Sequence, residues 1–311
     1  MKAKWIEGIA VTLAMLLFIQ IADGMETPLA TERSIEHIKG SIYSAHYPMN
    51  DSIYNSIFML TEDGIVLVDP VSKGSARWLK EELKERFDQP VRYIIYSHFH
   101  FDHAPGAEVF SDTVIEIYAQ ENFIENLKND PFKNKTKILP TKTYKGRMEL
   151  TFGTKRIELL DITSNHTNDT TVVRFPDEKI IFTVDVAPAG RVAWRYFGGW
   201  EVQDSNEFDL ALTDMETIMA LDFDFIVPGH YYHQKPEALR RAYEYQIDLC
   251  KRVSTQMKSG MNLPQIIEKV TMTDYSDLLK FDDFVAMNVE GMHYQLLKNK
   301  PGARCSTTTG P

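Results

Sequence analysis

The chain has 311 residues, with 34 Lys+Arg against 44 Asp+Glu, a formal net charge of −10 and a pI near 5.4. Hydrophobic residues make up 43% and charged residues 25%, a globular balance that excludes a disordered, collagenous or multi-span membrane protein. The negative charge repels phosphate backbones, so no nucleic-acid partner is expected and small molecules are the natural ones.

Lys2 and Lys4 precede the apolar run from Ile9 to Ala22, and Ala22-Asp23-Gly24 sets small residues where a signal peptidase would cut. Residues 1–24 are therefore read as a signal peptide, and the mature chain as secreted or periplasmic. The fourteen-residue run rises only about 21 Å as a helix, short of a roughly 30 Å hydrocarbon core, so a membrane partner is expected only if the segment stays uncleaved. The rest is read as one domain with a core over 25–235, a helical part over 236–300 and a flexible tail over 301–311.

Residues 57–60 and 64–69 predict a hairpin closed by Thr61-Glu62-Asp63-Gly64, with Asp-Gly as the turn signal. Residues 75–87 space Ala76, Leu79, Leu83 and Phe87 at helical intervals, and 91–96 is a β-branched and aromatic strand ending at Ser97. The lysine-rich stretch 128–145 is read as a solvated loop. Strands are expected over 150–152, 156–160, 171–175 and 179–184, a helix over 210–221, a strand over 223–227 and a long amphipathic helix over 236–257. The remainder, 263–297, reads as helix laid on the surface. Alternating strands and helices predict an α/β fold. Cys250 and Cys305 match no zinc or redox spacing and are read as unbonded, with Cys305 in a frayed tail.

The chemistry is concentrated in Ser97-His98-Phe99-His100-Phe101-Asp102-His103. Directly after a strand, His98 and His100 project to one side, and the following turn swings Asp102 and His103 toward a second point. Neutral imidazole is the commonest zinc ligand, and a carboxylate in the same cluster compensates a divalent charge.

This run is the His-x-His-x-Asp-His signature, and over roughly residues 42–232 the chain resembles the metallo-β-lactamase superfamily. Asp69, His166, Asp185 and His230 follow the family's order, each at or near an expected strand end. The resemblance implies a four-layer αββα sandwich with a metal cleft along one edge of its two sheets. It implies that His98, His100 and His166 hold one zinc ion and Asp102, His103 and His230 a second, bridged by Asp185, with iron as an alternative metal. A bridging hydroxide would then cleave an ester, lactone, thioester or amide bond of a small molecule. Asp102 would orient the nucleophile, and Asp69, a second catalytic candidate, would fix a ligand histidine.

Departures from subfamily patterns narrow the choice. The bridging position is Asp185 rather than cysteine, His100 is intact where flavin-linked di-iron members carry glutamate, and the tyrosine that lactonases place after the bridging aspartate is absent from Val186-Ala-Pro-Ala-Gly190. Two alternatives stay open: β-lactam hydrolysis, and a mononuclear-iron sulfur dioxygenase using His98, His166 and Asp185. The aromatic segment 192–200 reads either as a mobile wall over the substrate or as a packed loop. Tyr231, Tyr232 and His233 read either as proton donors or as local packing, and His37, His46 and His293 as structural.

Overall fold

The computed structural model describes residues 31–130, 136–162, 166–199, 201–204, 207–299 and 305. The expected signal peptide, Trp200 and all of the tail except Cys305 lie outside the described residues. Among those residues, no helix is long and apolar enough to cross a membrane.

Two sheets form the centre. The first runs in chain order from β1 (Ser34–Lys39) through β2 (Ile42–Met49), β3 (Ser52–Thr61), β4 (Gly64–Val68), β5 (Val91–Ile95) and β6 (Glu116–Gln120) to β7 (Lys142–Tyr144). It is antiparallel up to β4 and parallel from there on. The second contains β8 (Arg147–Phe152), β9 (Lys155–Asp161), β10 (Thr171–Phe175), β11 (Ile180–Val184) and β12 (Phe225–Pro228), in the order β12-β11-β10-β9-β8. Only its β11–β12 pair is parallel.

Strand alternation places one core layer between the sheets and one outside each. Val66 and Val68 of β4 point inward with Ile57 and Met59 to meet Phe175, Ile180 and Phe182 of the second sheet. Ile65 and Leu67 point outward with Phe58, onto Ala76, Leu79 and Leu83 of α1 (Lys73–Phe87). On the far face, Ile181 and Ile226 pack against Met215 and Ile218 of α3 (Phe208–Met219) and Leu239 and Ala242 of α4 (Pro236–Lys258). Helix, sheet, sheet and helix are the four layers expected.

Three expectations change. The stretch 128–145 is not loop throughout, since α2 (Phe123–Asn129) enters it and β7 leaves it. At its surface Lys142 pairs with Glu116 at 3.7 Å and Lys145 with Glu121 at 2.6 Å. The C-terminal part does not merely lie on the surface. α5 (Leu263–Lys269) and α6 (Phe281–Asn299) join α4 around their own buried cluster, which takes in Val192, Ala193 and Phe197. Finally, Cys250 of α4 is disulfide-bonded to Cys305, with Cα atoms 5.3 Å apart. Cys305 reaches Cys250 because α6 runs back along α4, a pairing that a sequence separation of 55 does not reveal.

Candidate metal centre

The site lies where several strands end. Asp69 follows β4, Ser97 and His98 follow β5, His166 lies between β9 and β10, Asp185 follows β11 and His230 follows β12. Side chains set just past adjacent strand ends converge on one sheet edge, as in open α/β sheets generally. Asp69, Val71, Val184 and Tyr231 hold positive φ values of 55°, 59°, 46° and 68°. For valine and tyrosine this is strained backbone, of the kind that clusters where side chains must be aimed.

Two groups of donors form. Nε2 of His98, Nδ1 of His100 and Nε2 of His166 lie 2.9, 3.0 and 3.1 Å apart. Three nitrogens at zinc-ligand distance and tetrahedral angles would be about 3.3 Å apart, close to this spacing. The second group is Asp102, His103, Asp185 and His230. Asp102 Oδ2 lies 3.6 Å from His103 Nε2 and 3.5 Å from His230 Nε2. Asp185 stands between the groups: Oδ2 is 3.5 Å from His166 Nε2 and 3.2 Å from His103 Nε2, and Oδ1 is 3.3 Å from His230 Nε2.

Hydrogen bonds around the cluster fix which ring nitrogens are bare. Ser97 donates its backbone N–H to Asp69 Oδ1 at 2.8 Å and its hydroxyl to Asp69 Oδ2 at 2.6 Å. That hydroxyl therefore accepts from Nδ1–H of His98 at 2.9 Å, leaving Nε2 of His98 as a free lone pair. His103 donates Nδ1–H to Asp69 Oδ2 at 2.9 Å, so its Nε2 faces the cluster. His103 Nε2 and Asp185 Oδ1 are buried polar atoms without a hydrogen-bond partner. Such atoms are costly unless a ligand satisfies them, so the donor set fits a pair of divalent cations. Gly229 permits the approach, because a Cβ there would stand 2.7 Å from Asp185 Oδ1 and 3.0 Å from His103 Cε1.

Electrostatics divide the groups. Burial, reinforced by the neighbouring rings, holds His98 well below the usual histidine range and His100 near 3, and burial also lowers His166. These rings are neutral and able to ligate. Burial opposes charge on His103 and His230, but Asp102 and Asp185 outweigh it and raise both. A cation at the second group would take the place of those protons.

Residues that the sequence did not single out complete the site. Tyr54 of β3 bridges to His230 through the backbone, with ring centroids 4.7 Å apart. Burial and then the charges of Asp102 and Asp185 push its phenol up to about 12. Asn55 donates Nδ2–H to Pro228 O at 2.9 Å and to Tyr231 O, and its backbone N–H to Gly229 O at 2.9 Å, clamping the His230 loop. Asp169 accepts the backbone N–H of Phe99 at 2.9 Å, pinning the turn between His98 and His100. An acid three residues past His166 is a signal that sequence reading could have used, whereas nothing in strand alternation marks Tyr54.

Other expectations resolve toward packing. Asp69 is fully buried, with its carboxylate bonded to Ser97 and His103. Ala193 and Arg195 carbonyls accept from Asn288 of α6 at 2.9 and 2.6 Å, and Phe197 packs on Phe208, so residues 192–199 form a packed loop. Tyr232 packs on His46, and Glu36 accepts from both His46 and His233 at 3.2 Å.

A family model described as the metallo-beta-lactamase superfamily matches residues 49–230. The alpha subunit of 2,4-dinitroanisole O-demethylase from a Nocardioides species is 24% identical over 277 residues, 84% of this chain and 79% of that relative. Among solved structures, a metallo-beta-lactamase from Pontibacter korlensis superposes with a TM-score of 0.60 at 18% identity, covering 69% of this chain and 99% of that one. The stereoselective inverting sec-alkylsulfatase Pisa1 from Pseudomonas sp. gives 0.66 at 15% identity, covering 90% of this chain and 52% of that one. By fold, by site and by the region matched, the chain belongs to the metallo-beta-lactamase superfamily as a metal-dependent hydrolase.

Proposed function

We propose that the chain is an exported hydrolase that holds two zinc ions and cleaves an ester-type bond (ester, lactone, thioester or amide) of a small molecule. The observation that carries this reading is the placement of the Asp185 carboxylate between two groups of donors. His98, His100 and His166 would hold one ion, Asp102, His103 and His230 the other, and Asp185 would touch both. Bound there, two divalent ions would supply a nucleophilic water at neutral pH and polarise the scissile carbonyl.

The chain's own residues do the rest. Asp69 holds His103 in the tautomer that presents Nε2, and Ser97 does the same for His98. Tyr54, half-buried beside His230 and kept protonated, donates a hydrogen bond toward charge developing on a substrate oxygen. Phe101, 52% exposed inside the ligand motif, offers an apolar contact at the rim. Hydrolysis joins the water oxygen to the acyl carbon, breaks the bond to the leaving group and sends the proton to that group. The complete second group favours this reading over a mononuclear iron centre built on His98, His166 and Asp185 alone. Export is supported by the Cys250–Cys305 bond, since disulfides persist in oxidising compartments.

The test is a panel of 4-nitrophenyl esters, lactones, thioesters and nitrocefin, presented to zinc-loaded protein comprising residues 25–311. Turnover of one class that disappears in His98→Ala supports the reading. Oxygen uptake with a persulfide and an iron-loaded protein, without hydrolysis, would replace it.

A further inference from the structure

Arg191 is a buried cation without a counter-ion. It is 9% exposed, its Nε is buried with no hydrogen-bond partner, and Nη1 makes only a long 3.4 Å bond to Val192 O. Among the described residues no carboxylate lies within ion-pair distance of it. The nearby Lys280, by contrast, is paired with Asp283 at 2.8 Å. Leaving a buried guanidinium without an anion is costly, and the Tyr231 ring 5.9 Å away offsets only part of that cost.

Its position is fixed by the backbone. Arg191 follows Asp185 by six residues. Gly190 bonds to Ala238 at the start of α4, Leu279 to Gly190 and Val192 to Leu279, at 3.2, 3.0 and 3.2 Å. The guanidinium carbon lies 5.9 Å from the ring of Tyr231, the residue after His230, and the charge of Asp185 reaches it. The cation is thus held over the residue that directly follows the His230 donor.

Charge then decides what it can be for. Two divalent ions would bring four positive charges, which Asp102, Asp185, the buried Asp69 on His103 and a bound hydroxide together answer, and Arg191 adds one positive charge that nothing in the cluster answers. A neutral substrate leaves that excess unanswered, whereas an anionic one answers it. We propose that Arg191 receives a compact oxyanion carried by the substrate, so that the preferred substrates are small esters bearing a carboxylate or a sulfate. This rests on the hydrolase reading and names its substrate class; for a sulfate ester the water oxygen would join sulfur, the S–O bond to the alcohol would break and the alcohol oxygen would take the proton. The planar guanidinium fork matches either oxyanion in bidentate geometry.

The experiment compares 4-nitrophenyl butyrate, the mono-4-nitrophenyl ester of glutarate and 4-nitrophenyl sulfate on zinc-loaded wild type, Arg191→Gln and Arg191→Lys. Wild type should prefer glutarate or sulfate over butyrate, and which one it prefers separates an oxyanion appended to the ester from one within it. The anionic-to-neutral ratio of kcat/KM should fall about 10- to 100-fold in Arg191→Gln, chiefly through KM, and less in Arg191→Lys. Independently of activity, sulfate or glutarate should raise the melting temperature of zinc-loaded wild type but not of Arg191→Gln. Equal loss on all three substrates with the ratio preserved would overturn the proposal and make Arg191 a brace for the His230 loop. Hydrolysis of butyrate without anionic preference would overturn it while leaving the hydrolase reading intact. No hydrolysis, with Arg191-dependent stabilisation by sulfate, would do the reverse. If Arg191→Gln does not fold, a wild type that neither anion stabilises overturns the proposal.

Discussion

Asp69 accepts a hydrogen bond from Nδ1 of His103 at 2.9 Å across 34 residues, joining the end of β4 to the end of the ligand motif. The bond is possible because Asp69 adopts φ of 55° and so turns its carboxylate under the motif, where Ser97 also donates to it. One buried carboxylate thus sets the tautomer of His103 directly and that of His98 through a hydroxyl.

Replacing Asp69 by Asn should preserve volume but weaken this control. An amide can accept from Ser97 or His103 with its oxygen but presents an N–H to the other. Metal affinity at the second donor group is expected to fall about 10- to 100-fold, with less effect on the first. Competition with a chelator, read as zinc retained per chain, checks the difference.

Asn55→Leu should destabilise the His230 loop. It leaves the buried carbonyls of Pro228 and Tyr231 without their side-chain donor. Each carbonyl left unsatisfied costs about 1–3 kcal/mol, so urea unfolding of the variant should show a loss of about 2–6 kcal/mol.

Seven donor residues were legible in the sequence because metal ligation depends on side-chain type, and His98, His100, Asp102 and His103 stand within six positions. What supports them was not legible. Asn55 and Tyr54 sit in an ordinary strand pattern, and their roles come from β3 passing the loop after β12, a contact between residues about 175 positions apart. The amphipathic pattern of 263–297 revealed helices but not their partner, since periodicity gives the apolar face and not what covers it. The disulfide was hidden for the same reason.

Asp169 gives a pH dependence with a definite sign. Burial pushes its carboxyl up to about 6 from an ordinary value of 3.8. A raised folded-state pKa means stability that is fully present below about 3.8 and lost as pH rises through 6. Asp169→Asn retains an acceptor for Phe99 N–H without that loss. Its stability relative to wild type should therefore rise by about 2–3 kcal/mol between pH 4 and pH 7, measured by urea unfolding of metal-free protein.

Reduction of Cys250–Cys305, or Cys305→Ser, should destabilise the C-terminal helices. Closing a loop of 55 residues constrains the unfolded chain by about 4 kcal/mol in the entropic account. A fall of several degrees in melting temperature on adding reductant, absent in Cys250→Ser/Cys305→Ser, is the expected outcome.

The binuclear centre itself is tested most directly by counting metal. Protein comprising residues 25–311, purified without a histidine tag or added metal, should carry about two zinc ions per chain by elemental analysis, and Asp185→Ala should carry one or fewer. A single iron per chain, or two zinc ions retained in Asp185→Ala with full hydrolytic activity, would contradict the account.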